Sequence, residues 1–327
     1  MKKSILLTLL LVCLLPSMLI WLFDISDENL DRYIVEQPVK PETTVPTNPV
    51  SNVKQEEPVS ICVQKNESIE KMLLEEYVLS VVLAEMPVDF EIEALKAQAV
   101  VARTYTCRKM EKPKHNNAHV CTDSRCCQAY MDIAQFLSSG GTREDLEKVQ
   151  SAVESTSGLV LLYRGELIDA TYFSCSGGKT EDAAAVWGSA VPYLQSVESP
   201  GEEYASHYID TVQFSVGEFA KKMGLELTEN PGTWIKNVKY TSGGGVASVV
   251  LQGKTFSGTE IRQKLGLRST AFVITITGET VTITTKGFGH RVGMSQYGAE
   301  AMAVQGSNYQ EILNHYYTDI TISSLSG

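Results

Sequence analysis

The spacing of apolar positions changes character several times along the chain. After Lys2 and Lys3 comes an almost unbroken apolar run from Ile5 to Phe23, interrupted by Thr8, Pro16 and Ser17. It is about long enough to span a bilayer, with its positive flank on the cytoplasmic side. No clear small-residue cleavage site follows. The run therefore reads as an uncleaved transmembrane anchor over 1–23 rather than a removed signal peptide. That reading makes the chain a single-pass protein of the cell membrane with its globular part outside the cytoplasm. From 24 to 57 there is no period. Proline and polar residues dominate, as in "EQPVKPETTVPTNPVSNVKQEEP", the composition of a flexible linker. One globular domain is expected over 58–327.

Within that domain "VSICVQ" alternates as a strand does. "SIEKMLLEEYVLSVVLAEMP" reads as a helix with Ser68 as N-cap and a stripe at Leu74, Tyr77, Val78, Val81 and Val82. Pro87 ends it, because a residue before proline is pushed out of the helical region. "EIEALKAQAVVARTYTCRKM" is a second helix whose alanines permit close packing, and "REDLEKVQSAVEST" is a third, closed by Gly158. "LVLLYRGELIDATYFS" reads as a hairpin turning at Arg164-Gly165. Later segments such as "VKYTSGGGVASVVLQG", "FVITITGETVTITTKG" and "DITISS" are strand-like, interrupted by helices near "MSQYGAEAMAVQG" and "NYQEILNHYY". Helix-rich first and strand-rich later implies an α+β domain, with the helical part packed on β-rich segments to form a substrate groove.

The formal net charge of −11 and the lack of a basic stripe exclude nucleic acid as a partner. A neutral or weakly charged polymer is compatible with that balance.

Three stretches can carry chemistry. Glu85 continues the apolar stripe of its helix, i+4 from Val81 and i+3 from Val82, so it points toward the buried side. Burying the ion is costly and favours the protonated acid, which suits a proton donor; the competing reading pairs Glu85 with Lys96 or Arg103. The loop "HNNAHVCTDSRCCQAY" offers imidazole and thiol groups, the preferred ligands of zinc. His115, Cys121 and Cys127 are the ligand candidates, with His119 or another site residue completing the shell. A Cys121–Cys126 or Cys121–Cys127 disulfide and free thiols are the alternatives. The third stretch is a pair of glycine-rich loops, "YFSCSGGKTEDAAAVWG" and "GFGHRVGMSQYGAEAMA". Gly177, Gly287, Gly289 and Gly293 allow close backbone approach, and His290, Ser295, Gln296 and Tyr297 offer hydrogen-bonding groups before a helix. Cys175 is discounted as a nucleophile because no histidine lies near it in sequence. His207 and His315 have no suggestive neighbours.

Taken together, "AEMPVDFEIEALKAQAVVARTYT", "YFSCSGGKTEDAAAVWG…PYLQSV" and "GFGHRVGMSQYGAEAMA…ILNHYY" resemble the stage II sporulation protein D family, over roughly residues 70–321. The His/Cys loop resembles that family's zinc-bearing clostridial branch. The resemblance implies a peptidoglycan lytic transglycosylase that cuts between N-acetylmuramic acid and N-acetylglucosamine in peptide-stripped glycan strands during sporulation. It implies two partners in the engulfment machinery, a cell-wall amidase and an integral-membrane protein, and zinc as cofactor. The family's catalytic glutamate falls on Glu85. Lys96, Gln98, Arg103 and Tyr105 are then expected to hydrogen-bond Glu85 or line the groove. Ser174, Ser176, Gly177, Lys179, His290, Ser295, Gln296 and Tyr297 are expected to contact sugar. One departure is Arg291, where relatives usually carry glycine after the histidine; a bulky cation there is expected to alter a sugar contact. A glycosidase that uses water needs two carboxylates, whereas a lytic transglycosylase works with one, its nucleophile being the substrate's own C6 hydroxyl. A non-catalytic glycan-binding scaffold that recruits an amidase is the main alternative, and a zinc peptidase a weaker one, since no H-E-x-x-H is present.

Overall fold

A computed structural model describes residues 58–325 apart from 229. Helices and strands are mixed, as the pattern predicts. The chain opens with an antiparallel hairpin of β1 (Ser60–Lys65) and β2 (Ser68–Leu73), with Val120–Cys121 added in parallel to β1. The hairpin corrects the helix expected from Ser68. Asn66 turns the chain at a φ of 53°, and six backbone pairs form from Lys65↔Ser68 to Ser60↔Leu73. That ladder overrides the local helical pattern. Helix α1 (Leu74–Glu85) therefore starts later, with the Leu73 N–H donating to Glu76. It ends where expected, because Met86 is extended (φ −117°, ψ 137°) before Pro87.

The next helix, α2 (Ile92–Glu111), is the spine of the domain. It packs on α1, on the helix Arg143–Glu154, on the strand Leu159–Tyr163 and on the two C-terminal helices Gln296–Val304 and Tyr309–Tyr316. Its small residues Ala94, Ala97, Ala99 and Ala102 are all fully buried, which is what lets so many neighbours approach. Ile61, Val63, Val78, Val82, Leu95, Val101, Leu161, Val292 and Ile312 complete the core. The hairpin after Leu159–Tyr163 turns at Arg164-Gly165 as predicted, both residues having positive φ (53° and 84°), the geometry that matches strand twist.

Residues 209–286 build a second lobe with its own core, which includes Phe219, Trp234, Leu251, Ile261, Phe272 and Ile283. One sheet orders Ala271–Thr277, Thr280–Lys286 and Ile209–Ser215, all antiparallel. The other orders Ile235–Tyr240, Val246–Leu251 and Lys254–Ser257. Two short helices that the sequence pattern did not reveal, Val216–Met223 and Gly258–Leu265, cover this lobe. Each starts at a capping serine (Ser215, Ser257) and stops at a left-handed glycine (Gly224, Gly266).

The expectation of a single-pass membrane protein is corrected. Among the described residues no helix is long and apolar enough to cross a membrane. The longest, α2, carries Glu93, Lys96, Arg103, Arg108, Lys109 and Glu111. The run Ile5–Phe23 and the linker 24–57, on which the anchor and stalk were read, lie outside the described residues.

Candidate active site

Glu85 is the last residue of α1, half-buried, at a cleft of about 380 Å³. The cleft is also lined by Tyr105, Cys127, Tyr172, Phe288, His290 and Gln296, among others. Two donors converge on one carboxylate oxygen: the Ala129 N–H reaches Glu85 Oε1 at 2.7 Å, and the Tyr172 hydroxyl donates to the same atom at 3.0 Å. Oε2 makes no hydrogen bond to the described residues. Tyr172 is itself oriented by Gln128, whose Nε2 donates to the phenol oxygen at 3.2 Å and whose Oε1 accepts from Thr106 at 3.1 Å. Burial, then the adjacent Glu85 carboxylate, holds the Tyr172 phenol well above its ordinary range, so it stays a donor. The result is a cleft-lining carboxyl group with one oxygen fixed by two donors and the other without a partner among the described residues.

The basic partners that would have made Glu85 structural are committed elsewhere. Lys96 pairs with Glu93 at 2.7 Å. Arg103 is fully buried and forks onto Glu75, Nε to Oε1 at 2.8 Å and Nη2 to Oε2 at 2.6 Å, while also donating to the carbonyls of Ala99, Val153 and Leu159. Neither reaches the cleft. Gln98 is fully buried too, with neither amide atom partnered among the described residues. Of the four residues expected from α2, only Tyr105 lines the cleft.

The glycine-rich loops divide in the same way. Ser174, Gln296 and His290 line the cleft. Gln296 Nε2 also donates to the Glu85 main-chain carbonyl at 3.0 Å, closing the end of α1. Ser176 and Gly177 are tied instead to the buried Glu202, which accepts from both backbone N–H groups (2.7 and 3.0 Å) and from the Ser176 hydroxyl (2.9 Å). Lys179 pairs with Glu198 at 2.8 Å. Ser295 caps the following helix by accepting from the Gly298 N–H. Tyr297 stacks edge-on with Phe90 and Tyr204 and is not among the cleft residues. The glycines serve loop-on-loop packing: at Gly293 (φ 85°) a Cβ would run into the Thr171 carbonyl. The Cys175 thiol beside Glu202 is pushed far above its usual range by burial and then by that carboxylate, which removes it as a nucleophile.

His290 faces the cleft between Phe173 and Trp187, with ring centroids 5.7 and 5.5 Å away. Its Nδ1 accepts from the Val292 N–H at 3.1 Å, so the neutral ring carries its proton on Nε2. Burial, followed by the charge of Arg262, pulls its pKa from 6.5 to about 4. Arg291 is a correction to the expected altered sugar contact. It is buried, and it donates to the carbonyls of Ser176 (2.7 Å), Lys179 (2.7 Å) and Gly243 (2.6 Å) and to Glu181 at 3.3 Å. Its cation therefore points into the protein and clamps the two loops to the second lobe.

Beside the cleft, His115, Cys121, Cys126 and Cys127 bring their ligand atoms within 4.8 Å of one another. Tetrahedral zinc with sulfur ligands at 2.3 Å sets its donors about 3.8 Å apart, so one imidazole and three thiols need only a small contraction to hold it. His119 does not complete this set, because its Nδ1 accepts from the Cys62 N–H at 2.9 Å; Cys126 takes that place. No disulfide joins the cysteines among the described residues. Cys127 belongs to both the cluster and the cleft wall, and the next two residues, Gln128 and Ala129, supply the groups that hold Glu85.

Tyr172, Gln128 and the Ala129 N–H are the site groups that the sequence reading missed. Tyr172 opens a stretch already singled out, and Gln128 and Ala129 lie within another, but nothing in spacing alone points these groups at Glu85.

A domain of this kind, with one oriented glutamate over a cleft closed by two glycine-rich loops, has clear relatives. Residues 63–163 match the SpoIID family model, described as Stage II sporulation protein. The chain is similar to Stage II sporulation protein D of Bacillus amyloliquefaciens, 44% identical over 82% of this chain and 80% of the relative. It is also similar to Stage II sporulation protein D of Bacillus subtilis strain 168, 40% identical over 96% and 92%. A protein of the same strain named Amidase enhancer is 30% identical over 73% of this chain and 39% of its own length. The chain belongs to the stage II sporulation protein D family.

Proposed function

We propose that this protein is a peptidoglycan lytic transglycosylase of sporulation, acting on peptide-stripped glycan with Glu85 as acid and then base. The observation that supports it best is the state of that carboxyl group. Oε1 is committed to two donors, Oε2 has no partner among the described residues, and Glu85 is the one carboxylate among the described residues lining the cleft. A single acid suits a reaction that uses no water. Glu85 Oε2–H protonates the glycosidic oxygen as the bond from C1 of the muramic residue breaks. The carboxylate then takes the proton of the C6 hydroxyl as that oxygen bonds to C1, giving a 1,6-anhydro end. His290, neutral with Nε2–H, and Gln296 are the candidate sugar contacts, with Tyr105 and Ser174 on the same walls.

Zinc is the metal we assign to His115, Cys121, Cys126 and Cys127. When bound it supplies a crosslink. The residues that gain from it are Gln128 and Ala129, which orient Tyr172 and Glu85. The partner we assign is a cell-wall amidase, which makes the stripped strands, within the engulfment complex. The relative named Amidase enhancer favours a second reading as well, a scaffold that binds glycan and recruits the amidase without cutting.

The test incubates the full-length chain and its Glu85→Gln variant with peptide-free glycan strands and reads the products by mass spectrometry. Fragments with 1,6-anhydro ends from the unmodified chain, falling at least about 100-fold in the variant, are expected. Reducing ends would mean hydrolysis. Intact glycan from both folded proteins would leave the scaffold.

A further inference from the structure

The second lobe contributes none of the residues that line the cleft, but it brings an arginine against one of them. Arg268 lies over the ring of Phe288, a cleft residue, with its guanidinium carbon 4.7 Å from the centroid. The backbone at this point is pinned to the cleft loop, since the Gly289 N–H donates to the Arg268 carbonyl at 3.1 Å. Arg268 has one acidic neighbour, Asp210, whose Oδ2 is 3.7 Å from Nε; both side chains are more than a third exposed, so this pairing is loose and screened. The outer nitrogens of the fork make no hydrogen bond to the described residues. Arg262 stands behind. Its Nε donates to the Leu267 carbonyl at 3.3 Å, and it pairs with no carboxylate among the described residues. Its charge acts on His290.

A half-exposed cation beside the cleft stands out in a chain of net charge −11. A stacked, half-free guanidinium is the group that recognises carboxylate in a bidentate way. Glycan offers one such anion. The lactyl ether of muramic acid ends in an amide while a stem peptide is attached and in a carboxylate once the peptide is gone. We propose that Arg268 forms a carboxylate subsite at the edge of the cleft that reads the free lactyl group of a peptide-stripped muramic residue. The subsite rests on the glycan reading above and makes the substrate's history a matter of charge. Attached peptide removes the anion with which the guanidinium would pair.

The test uses the full-length Glu85→Gln protein, which holds glycan without cutting it, in calorimetric titrations. Three oligosaccharides of equal length are compared: alternating N-acetylglucosamine and N-acetylmuramic acid with free lactyl groups, the same with lactyl methylamides, and chitotetraose. The free acid is expected to bind about tenfold or more tighter than the other two. Adding Arg268→Gln is expected to erase that difference while leaving chitotetraose affinity unchanged, and Arg268→Lys to restore part of it. Equal affinity for all three, or a preference that survives Arg268→Gln, overturns the subsite and leaves the glycan reading intact. Binding of none of the three overturns the glycan reading and the subsite with it.

Discussion

At the scale of single residues, the site works through which atoms are already occupied. Glu85 keeps Oε2 open because the Ala129 N–H and Tyr172 hydroxyl both take Oε1. His290 is held neutral, and this has a consequence for stability. Its pKa is pulled from 6.5 to about 4 by burial and Arg262. Above pH 6.5 the folded and unfolded states are both neutral at this position and its contribution is level. As pH falls from 6.5 toward 4 the unfolded chain takes up a proton that the folded one refuses, so stability is lost across that window. Urea denaturation at pH 7.0 and 5.0 is expected to show a smaller loss in His290→Gln than in the unmodified protein. A second residue-scale expectation concerns Arg103, which the sequence placed in the groove and the structure places under it. Arg103→Met is expected to cost about 1–3 kcal/mol in chemical denaturation, by leaving the carbonyls of Ala99, Val153 and Leu159 without their buried donor and the half-exposed Glu75 without its partner. Glycan cleavage per folded molecule is expected to stay within about twofold, because that side chain does not line the cleft. A large loss of cleavage without loss of stability would reverse this assignment.

Among the elements, what was legible depended on whether local pattern or long-range pairing decided the outcome. The position of Glu85 at the end of α1, the long helix α2 and the turn at Arg164-Gly165 were all readable, because period, a following proline and turn chemistry agreed. The hairpin Ser68–Leu73 was not. Its residues are mostly exposed, so its pattern follows no core face, and only pairing with β1 makes it a strand. The helices Val216–Met223 and Gly258–Leu265 are too short for a convincing period, although Ser215, Gly224, Ser257 and Gly266 marked their ends. In the His/Cys loop the ligand types were legible and the choice between His119 and Cys126 was not, since it depends on where the Cys62 N–H lies. This loop is also where the proposed zinc is put to the test. Purified protein is expected to carry about one zinc per chain by mass spectrometric metal analysis, and Cys126→Ser to hold it more weakly. Chelation is expected to slow glycan cleavage roughly 10-fold or more, through lost positioning by Gln128 and Ala129. Full activity of a metal-free protein would show that the loop holds Glu85 without help.

At the scale of the whole molecule, buried polar residues help join the two cores. Arg291 and Glu181 lie at the junction: Glu181 Oε1 accepts from Thr241, the Gly245 N–H and Arg291, while Arg291 also reaches Gly243. Any Cβ at Gly243 or Gly245 would overlap Glu181, so the glycine run there permits the contact. Arg291→Gly is expected to cost about 3–5 kcal/mol by leaving Glu181 buried and unpaired. Adding Glu181→Gln is expected to recover part of that loss in a double-mutant cycle; strictly additive losses would mean that the two side chains do not act as a pair. The second lobe has one further property. It leaves and re-enters the first core at neighbouring points: Ile209 pairs with Lys286 across the sheet, and the Gly287 N–H donates to the Tyr208 carbonyl at 2.8 Å. The lobe is thus a cassette spliced into one loop of the chain. Its length and surface are free to vary by insertion, deletion or exchange without rerouting the helices that carry Glu85. In such an arrangement Glu85 and the surface of the spliced lobe are inherited as separate modules, and the one can drift while the other stays fixed.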